Sequence, residues 1–125
     1  MFRPFLPATI WAGIILFLTL MPGNYLPKVD YWSLLSVDKY IHFTFFFVQV
    51  YLLLMGEWKR KISLTLSQYV TPFLAGTIFG VLIEFIQIVI PHRSFDVEDM
   101  VANTIGAFLG AIVFRLLHKE KKKSI

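Results

Sequence analysis

Two apolar runs separated by a short polar loop decide the fold of this chain. Residues 70–90 read VTPFLAGTIFGVLIEFIQIVI, residues 91–99 read PHRSFDVED, and residues 100–117 read MVANTIGAFLGAIVFRLL. At a rise of about 1.5 Å per residue, helices of this length cross most of a hydrocarbon core roughly 30 Å thick. Pro91 ends the first helix, because proline has no amide hydrogen to continue it. The stretch therefore predicts a transmembrane helical hairpin.

The rest of the sequence also indicates lipid as the solvent. Of the 125 residues, 57% are hydrophobic and 16% are charged, which is unusual for a soluble domain. Two further apolar runs, residues 5–21 and 40–55, precede the hairpin. We therefore predict an all-α integral membrane protein, a four-helix transmembrane bundle forming a single domain over residues 1–125, with helices at about 5–21, 40–55, 70–90 and 100–117. The absence of cysteine excludes disulfides and thiolate chemistry.

Lysine and arginine predict the orientation of the helices. With a cytoplasmic amino terminus, nine of the twelve lie inside and three lie outside. The inner residues are Arg3, Lys59, Arg60, Lys61, Arg115, Lys119, Lys121, Lys122 and Lys123, and the outer ones are Lys28, Lys39 and Arg93. Because cytoplasmic loops are rich in these residues, we predict a multi-pass cell-membrane protein with both termini in the cytoplasm. The basic tail is interpreted as a membrane-surface segment, and no nucleic-acid partner is predicted.

Glu84 and Gln87 place polar groups inside the third apolar run. They lie three residues apart on one helical face, about 9 Å and 4.5 Å from the predicted outer end of the helix. An ionised carboxylate near the centre of a membrane helix costs about 2.5 to 3.5 kcal/mol on insertion scales, so Glu84 indicates a functional site. For Gln87, a structural hydrogen bond between helices is the alternative.

A second polar group opens the second apolar run. Asp38 and His42 are four residues apart, so they share a helical face on which the carboxylate can orient the imidazole. Capping of the helix is the alternative for Asp38. His42 lies in apolar sequence and needs a polar partner. Lys39 points to a different face of the helix.

The loop before the fourth helix carries several charges. Asp99 and Asn103, four residues apart, share a face at the start of that helix, and Arg93 can neutralise carboxylates bidentately. Solvated acids that cap the helix are the alternative, which we accept for Glu98. These groups predict an outward-facing polar pocket. Its ligand-binding residues are Asp38, Lys39, His42, Glu84, Gln87, Arg93, Asp96, Asp99 and Asn103.

Small residues recur at intervals of four in the last two apolar runs. Gly76 and Gly80 lie in the third run, and Gly106 and Gly110 lie in the fourth. Such spacing allows close contact between helices. We favour packing within the bundle, and an oligomer formed through the same residues is the alternative.

Four motifs follow one another along the chain: Asp38-Lys39-x-x-His42-Phe43-x-x-Phe46, Gly80-x-x-x-Glu84-x-x-Gln87, Arg93-Ser-Phe-Asp96-x-x-Asp99 and Asn103-x-x-Gly106-x-x-x-Gly110. In this order they resemble the VanZ-like family of small bacterial membrane proteins. The match spans residues 38–110. The family is named after an accessory protein that raises resistance to the glycopeptide teicoplanin. The resemblance therefore implies a role at the cell envelope, with antibiotic resistance as a possible context.

Two classes of function fit these residues. The first is an accessory protein that binds an anionic lipid headgroup or a lipid-linked cell-wall precursor, with Lys39, His42 and Arg93 contacting phosphate or carboxylate. The second is a membrane-embedded enzyme that modifies a lipid-linked envelope substrate, with Glu84 or His42 as general acid or base. The sequence contains no convincing nucleophile. We predict no metal or cofactor, because no recognised metal-ligand spacing is present; the alternative is a hard divalent metal held by Asp38, Glu84, Asp96 or Asp99. Whether the protein is an enzyme stays open.

Overall fold

The chain folds into four α-helices in a computed structural model that describes residues 3–21, 31–60, 64–91 and 96–118, with the side chains of the second segment described from Lys39 onward. A 3₁₀ turn at Arg3–Phe5 leads into α1, Leu6–Thr19. The other helices are α2, Tyr31–Arg60, α3, Leu66–Gln87, and α4, Val97–Leu117. All regular structure in the described segments is helical. The predicted all-α four-helix architecture is confirmed.

Three of the described helices are long and apolar enough to cross a membrane. These spans are Lys39–Arg60 within α2, Leu66–Gln87 and Val97–Leu117, while the apolar helix Arg3–Thr19 is shorter. Large apolar side chains on the outside of the bundle, such as Phe17 and Val89, are more than two-thirds exposed. An extensive exposed apolar surface is unfavourable in water and favourable against lipid chains. The chain is an integral membrane protein.

The second helix is longer than the run of residues 40–55 from which it was predicted. No proline or glycine lies between residues 31 and 55, so the helix extends back to Tyr31. The prediction ended this helix at residue 55, but in the structure it continues through Gly56 to Arg60. A Cβ atom at Gly56 would lie 2.5 Å from the ring of Phe5 and 2.8 Å from the carbonyl oxygen of Pro4. Gly56 therefore allows α2 to lie directly against the 3₁₀ turn at Arg3–Phe5.

Glycines bring the helices together within the bundle. Gly106 and Gly110 of α4 lie directly against the backbone of Phe43 and Phe47 in α2, and Gly76 of α3 also packs against α2. A Cβ at any of these positions would meet atoms of the neighbouring helix closer than van der Waals contact allows. The predicted packing role is confirmed for these contacts. Association of copies of the chain stays a prediction.

The bundle has a polar end and an aromatic end. At the aromatic end, the ring of His118 stacks on Phe114 at 4.2 Å between centroids and meets Trp58 edge-on at 4.9 Å. An apolar core follows, in which Phe46, Val50, Leu54, Ile83 and Ala107 are buried. At the opposite end, the carboxyl end of α3 meets the first turns of α4 and the Lys39 turn of α2. This polar end carries the ionisable residues that the sequence singled out.

Candidate functional site

Four buried polar side chains at the polar end form what we call the polar cluster. It comprises His42 of α2, Glu84 of α3, and Asp99 and Asn103 of α4, each at most 5% exposed. Lys39 and Asp96 are partly exposed and form its rim. The four buried residues belong to membrane-spanning helices, where unpartnered polar groups are costly. Three helices thus contribute to one site.

Lys39 is surrounded by acids from the start of α4. Its Nζ lies 2.9 Å from Oδ1 of Asp99, 3.0 Å from Oδ2 of Asp96 and 3.6 Å from Oε1 of Glu98. The sequence predicts that Lys39 contacts a phosphate or carboxylate of a ligand. In the structure its charge is already balanced by carboxylates of the protein. The site is therefore richer in acids than in cations among the described residues.

Asp96 links α4 to Glu84. It is the N-cap of α4, because its Oδ1 accepts a 2.9 Å hydrogen bond from the amide of Glu98. Its own amide donates to Oε1 of Glu84 at 3.0 Å. Burial acts to raise the pKa of Asp96, but hydrogen bonds from Lys39 and from the Glu98 amide outweigh it and hold that pKa below its usual value. Asp96 is therefore a carboxylate at neutral pH.

His42 is oriented by Asn103. The Nδ1 atom of His42 lies 2.9 Å from Oδ1 of Asn103, and because an amide oxygen only accepts, Nδ1 donates its hydrogen. The other ring nitrogen, Nε2, faces Oδ2 of Asp99 at 3.5 Å. Asn103 itself packs against Gly80, where an added Cβ would lie 2.9 Å from its amide nitrogen. Gly80 thus makes room for the residue that orients the imidazole.

Glu84 is completely buried and carries an unpartnered oxygen. Its Oε1 accepts from the Asp96 amide, whereas Oε2 has no hydrogen-bond partner among the described residues. One potential ligand atom each from His42, Glu84 and Asp99 lie within 4.8 Å of one another. Two carboxylates and an imidazole are a donor set that divalent metals accept. These three residues could therefore hold a metal ion.

Gln87 lies apart from the polar cluster. Its Nε2 donates a 2.7 Å hydrogen bond to the carbonyl oxygen of Thr19, so it ties α3 to the end of α1. This contact matches the structural alternative given for Gln87. The predicted roles of the Asp38 side chain and of Arg93 concern groups outside the described residues.

Two contacts between α1 and α2 were not predicted from the sequence. Gln49, buried in α2, donates to the carbonyl oxygen of Ala8 at 3.2 Å, and the indole of Trp11 donates to that of Phe45 at 2.8 Å. A glutamine in the middle of an apolar run was the signal available for the first contact. Both hydrogen bonds tie α1 to α2, so they serve packing.

The fold and the site define a class: a small helical membrane protein with an ionisable cluster buried at one end of its bundle. The chain belongs to the VanZ/LLP1 family, whose model matches residues 5–118. This match includes every residue of the polar cluster and confirms the predicted family.

The chain is also similar to a fungal protein. The chain is 33% identical over 88 residues to a protein of the yeast Schizosaccharomyces pombe that is described as uncharacterized. The match covers 70% of this chain and 52% of the relative, so the chain spans about half the length of the curated relative it matches. No solved structure matches the chain.

Proposed function

We propose that this protein binds the polar headgroup of a lipid or lipid-linked precursor in the cell envelope, and that the polar cluster is its binding site. One observation carries the proposal: Glu84, His42 and Asp99 are buried in membrane-spanning helices. The partly exposed rim contacts this group, Lys39 through Asp99 and Asp96 through Glu84. Ionisable groups at membrane depth are costly and mark functional sites by default. Resistance to teicoplanin would be one consequence of such binding.

The chemistry of the site favours a headgroup that donates hydrogen bonds. The unpartnered Oε2 of Glu84 can accept from a hydroxyl or an ammonium group, and the rim acids Asp96 and Glu98 can accept as well. Lys39 is the cation at the rim, where Asp96 and Asp99 already pair with it, so a phosphate would have to share it with these acids.

The proposed orientation puts the polar cluster on the outer side of the membrane. Two described arginines lie at the aromatic end of the bundle, where Arg60 sits 5.9 Å from the ring centroid of Phe5 and Arg115 sits 5.8 Å from that of Tyr69. A cytoplasmic aromatic end agrees with the excess of basic residues on cytoplasmic loops. The polar cluster then meets outer-leaflet headgroups.

Thermal unfolding of the purified protein in detergent tests the binding proposal. A ligand that binds the folded state raises its unfolding temperature by mass action. We expect at least one envelope lipid to raise the unfolding temperature of the wild type, and the shift to shrink in Glu84→Gln. The matched control is Thr77→Val, which removes a buried hydroxyl two turns earlier on α3 and should keep the shift. A wild type unaffected by every envelope lipid would refute the proposal.

A second candidate is an enzyme that modifies a lipid-linked substrate at the same site. The observation that favours it is a buried glutamate oxygen without a partner beside an imidazole held in place by Asn103. Such a pair can move protons as general acid and base. Incubation with envelope lipids followed by mass spectrometry decides the matter. A product formed by the wild type but not by Glu84→Gln would support the enzyme, and unchanged lipids would exclude it for the lipids supplied.

A further inference from the structure

We infer that His42, Glu84 and Asp99 form a binding site for a divalent transition-metal ion, with Zn²⁺ or Mn²⁺ as the matching chemistry. The three residues come from α2, α3 and α4, and each is at most 5% exposed. The site lies beneath the rim made by Lys39 and Asp96. Metal binding does not depend on the lipid proposal, although a bound ion would give an anionic headgroup a contact.

The distances fit a shared ion. Carboxylate oxygens and imidazole nitrogens bind Zn²⁺ at about 2.0 to 2.2 Å, so two such donors on one ion lie at most about 4.4 Å apart. The three potential ligand atoms here lie within 4.8 Å of one another. Small rotations of the side chains therefore bring them to bonding distance. No rearrangement of the helices is needed.

Glu84 supplies the observation that points to a cation. Its carboxylate is fully buried, and Oε2 has no hydrogen-bond partner in the described parts of the chain. A buried acceptor without a partner costs about 1 to 3 kcal/mol, and more when it is charged. The carboxylate of Asp99 lies close by and adds like-charge repulsion. A divalent cation between them removes both unfavourable effects.

Each of the three side chains also forms a hydrogen bond with a residue that is not itself a potential metal ligand. His42 donates through Nδ1 to Asn103, Oε1 of Glu84 accepts from the Asp96 amide, and Oδ1 of Asp99 accepts from Lys39. Nε2 of His42 and Oδ2 of Asp99 then face each other at 3.5 Å, and Glu84 offers a carboxylate oxygen within 4.8 Å of a ligand atom of each. Metal-binding histidines usually donate their other ring nitrogen to such an outer partner, which fixes the tautomer that can coordinate.

The donor set selects the kind of ion. Imidazole nitrogen suits Zn²⁺ and other transition metals, whereas Mg²⁺ and Ca²⁺ prefer sites made of oxygen. Two carboxylates balance the two charges of the ion, and they favour Mn²⁺ or Zn²⁺ over softer metals. Three protein ligands leave coordination positions for water or for an oxygen of a ligand. Without a metal, Nε2 of His42 and Oδ2 of Asp99 face each other directly at 3.5 Å.

Metal titration of the full chain in detergent, after treatment with a chelator and without added lipid, tests the inference. We expect calorimetry with Zn²⁺ or Mn²⁺ to show one ion per chain and the unfolding temperature to rise. Glu84→Gln and His42→Gln should weaken binding by at least about tenfold, and Thr77→Val should leave it unchanged.

The visible spectrum of bound Co²⁺ tests metal binding in the wild type, so this test does not depend on whether the variants fold. Co²⁺ added to the wild type should give visible absorption bands that Zn²⁺ abolishes by competition. Absence of binding in the wild type overturns the inference, and so does binding that Glu84→Gln and His42→Gln both retain, since the ion then sits elsewhere. Because no lipid is present, failure of lipid binding would leave these results intact.

Discussion

The carboxylate of Asp99 joins Lys39 to His42. Its Oδ1 lies 2.9 Å from Nζ of Lys39, and its Oδ2 lies 3.5 Å from Nε2 of His42. One side chain of α4 therefore holds two basic groups of α2, one at the rim and one buried. The contact between these helices depends on charge at this end and on glycine packing further along.

Replacement of Asp99 by asparagine should destabilise the bundle strongly. The variant keeps the shape of the side chain but removes the charge that faces Lys39 and His42. Asp99 is buried, whereas Lys39 is partly exposed and keeps Asp96 as a partner, so we expect a loss of about 1 to 3 kcal/mol. Reversible unfolding in mixed micelles, followed by circular dichroism, measures the loss.

Glu98 provides the matched control for this loss. It faces the same Nζ at 3.6 Å, but its side chain is 77% exposed. Exposed ion pairs contribute little, so Glu98→Gln should change the free energy of unfolding by less than about 1 kcal/mol. Equal effects of Glu98→Gln and Asp99→Asn would show that burial does not determine the strength of these pairs.

The lowered pKa of Asp96 predicts an acid limit to stability. A carboxyl group whose pKa is lower in the folded chain stabilises the fold above its unfolded pKa of about 3.9, and this contribution fades as pH falls through the lower folded value. Asp96→Asn keeps a capping side chain but removes the charge. We therefore expect the wild type to exceed Asp96→Asn in unfolding temperature by a constant margin between pH 5 and pH 8, on the basis of the pKa scale.

The same margin should narrow below about pH 4, where the carboxyl group takes up its proton. Thermal scans of both proteins across this range check the sign. A margin that grows on acidification would mean that the pKa of Asp96 is raised. Asp96→Ala should lose about 1 kcal/mol more at every pH, because alanine cannot cap the helix.

Gly106 should not tolerate a methyl group. A Cβ there would overlap the backbone carbonyl of Phe43, which cannot move without displacing α2. Overpacking of this kind costs about 1 to 3 kcal/mol, so Gly106→Ala should lower the unfolding temperature. Gly13 of α1 is the control, because an added Cβ meets nothing within 4 Å. Gly13→Ala should be neutral or stabilise the helix by up to about 1 kcal/mol. A destabilised Gly13→Ala together with a neutral Gly106→Ala would contradict the assigned helix contact.

Periodicity and composition predicted the helices because both are local properties of the sequence. The apolar runs and Pro91 were enough to place the ends of α3 and α4 to within four residues. The extension of α2 through Gly56 was not predictable, because the reason for that glycine is a contact with Phe5, 51 positions earlier in the sequence. Helix ends that depend on such contacts cannot be read from neighbouring residues.

Part of the polar cluster could be predicted, because the spacing of residues along one helix is also a local property of the sequence. Spacings of four put Asp38 and His42 on one face of α2, and Asp99 and Asn103 on one face of α4. The partners within the cluster were not predictable, because rotation of each helix about its axis decides them. Lys39 illustrates this, since the sequence assigned it to a ligand and the structure surrounds it with acids.

Gln87 should contribute to stability and not to metal binding. It lies one turn after Glu84 on α3, but its amide donates to Thr19 of α1 at 2.7 Å. Hydrogen bonds between membrane helices contribute about 0.6 kcal/mol on average, so Gln87→Leu should lower the unfolding temperature modestly. The titration that reveals a metal site through Glu84→Gln should give wild-type affinity for Gln87→Leu. Weakened metal binding in Gln87→Leu, at a temperature where the variant is fully folded, would place Gln87 in the site, and unchanged binding assigns it to the contact between α1 and α3.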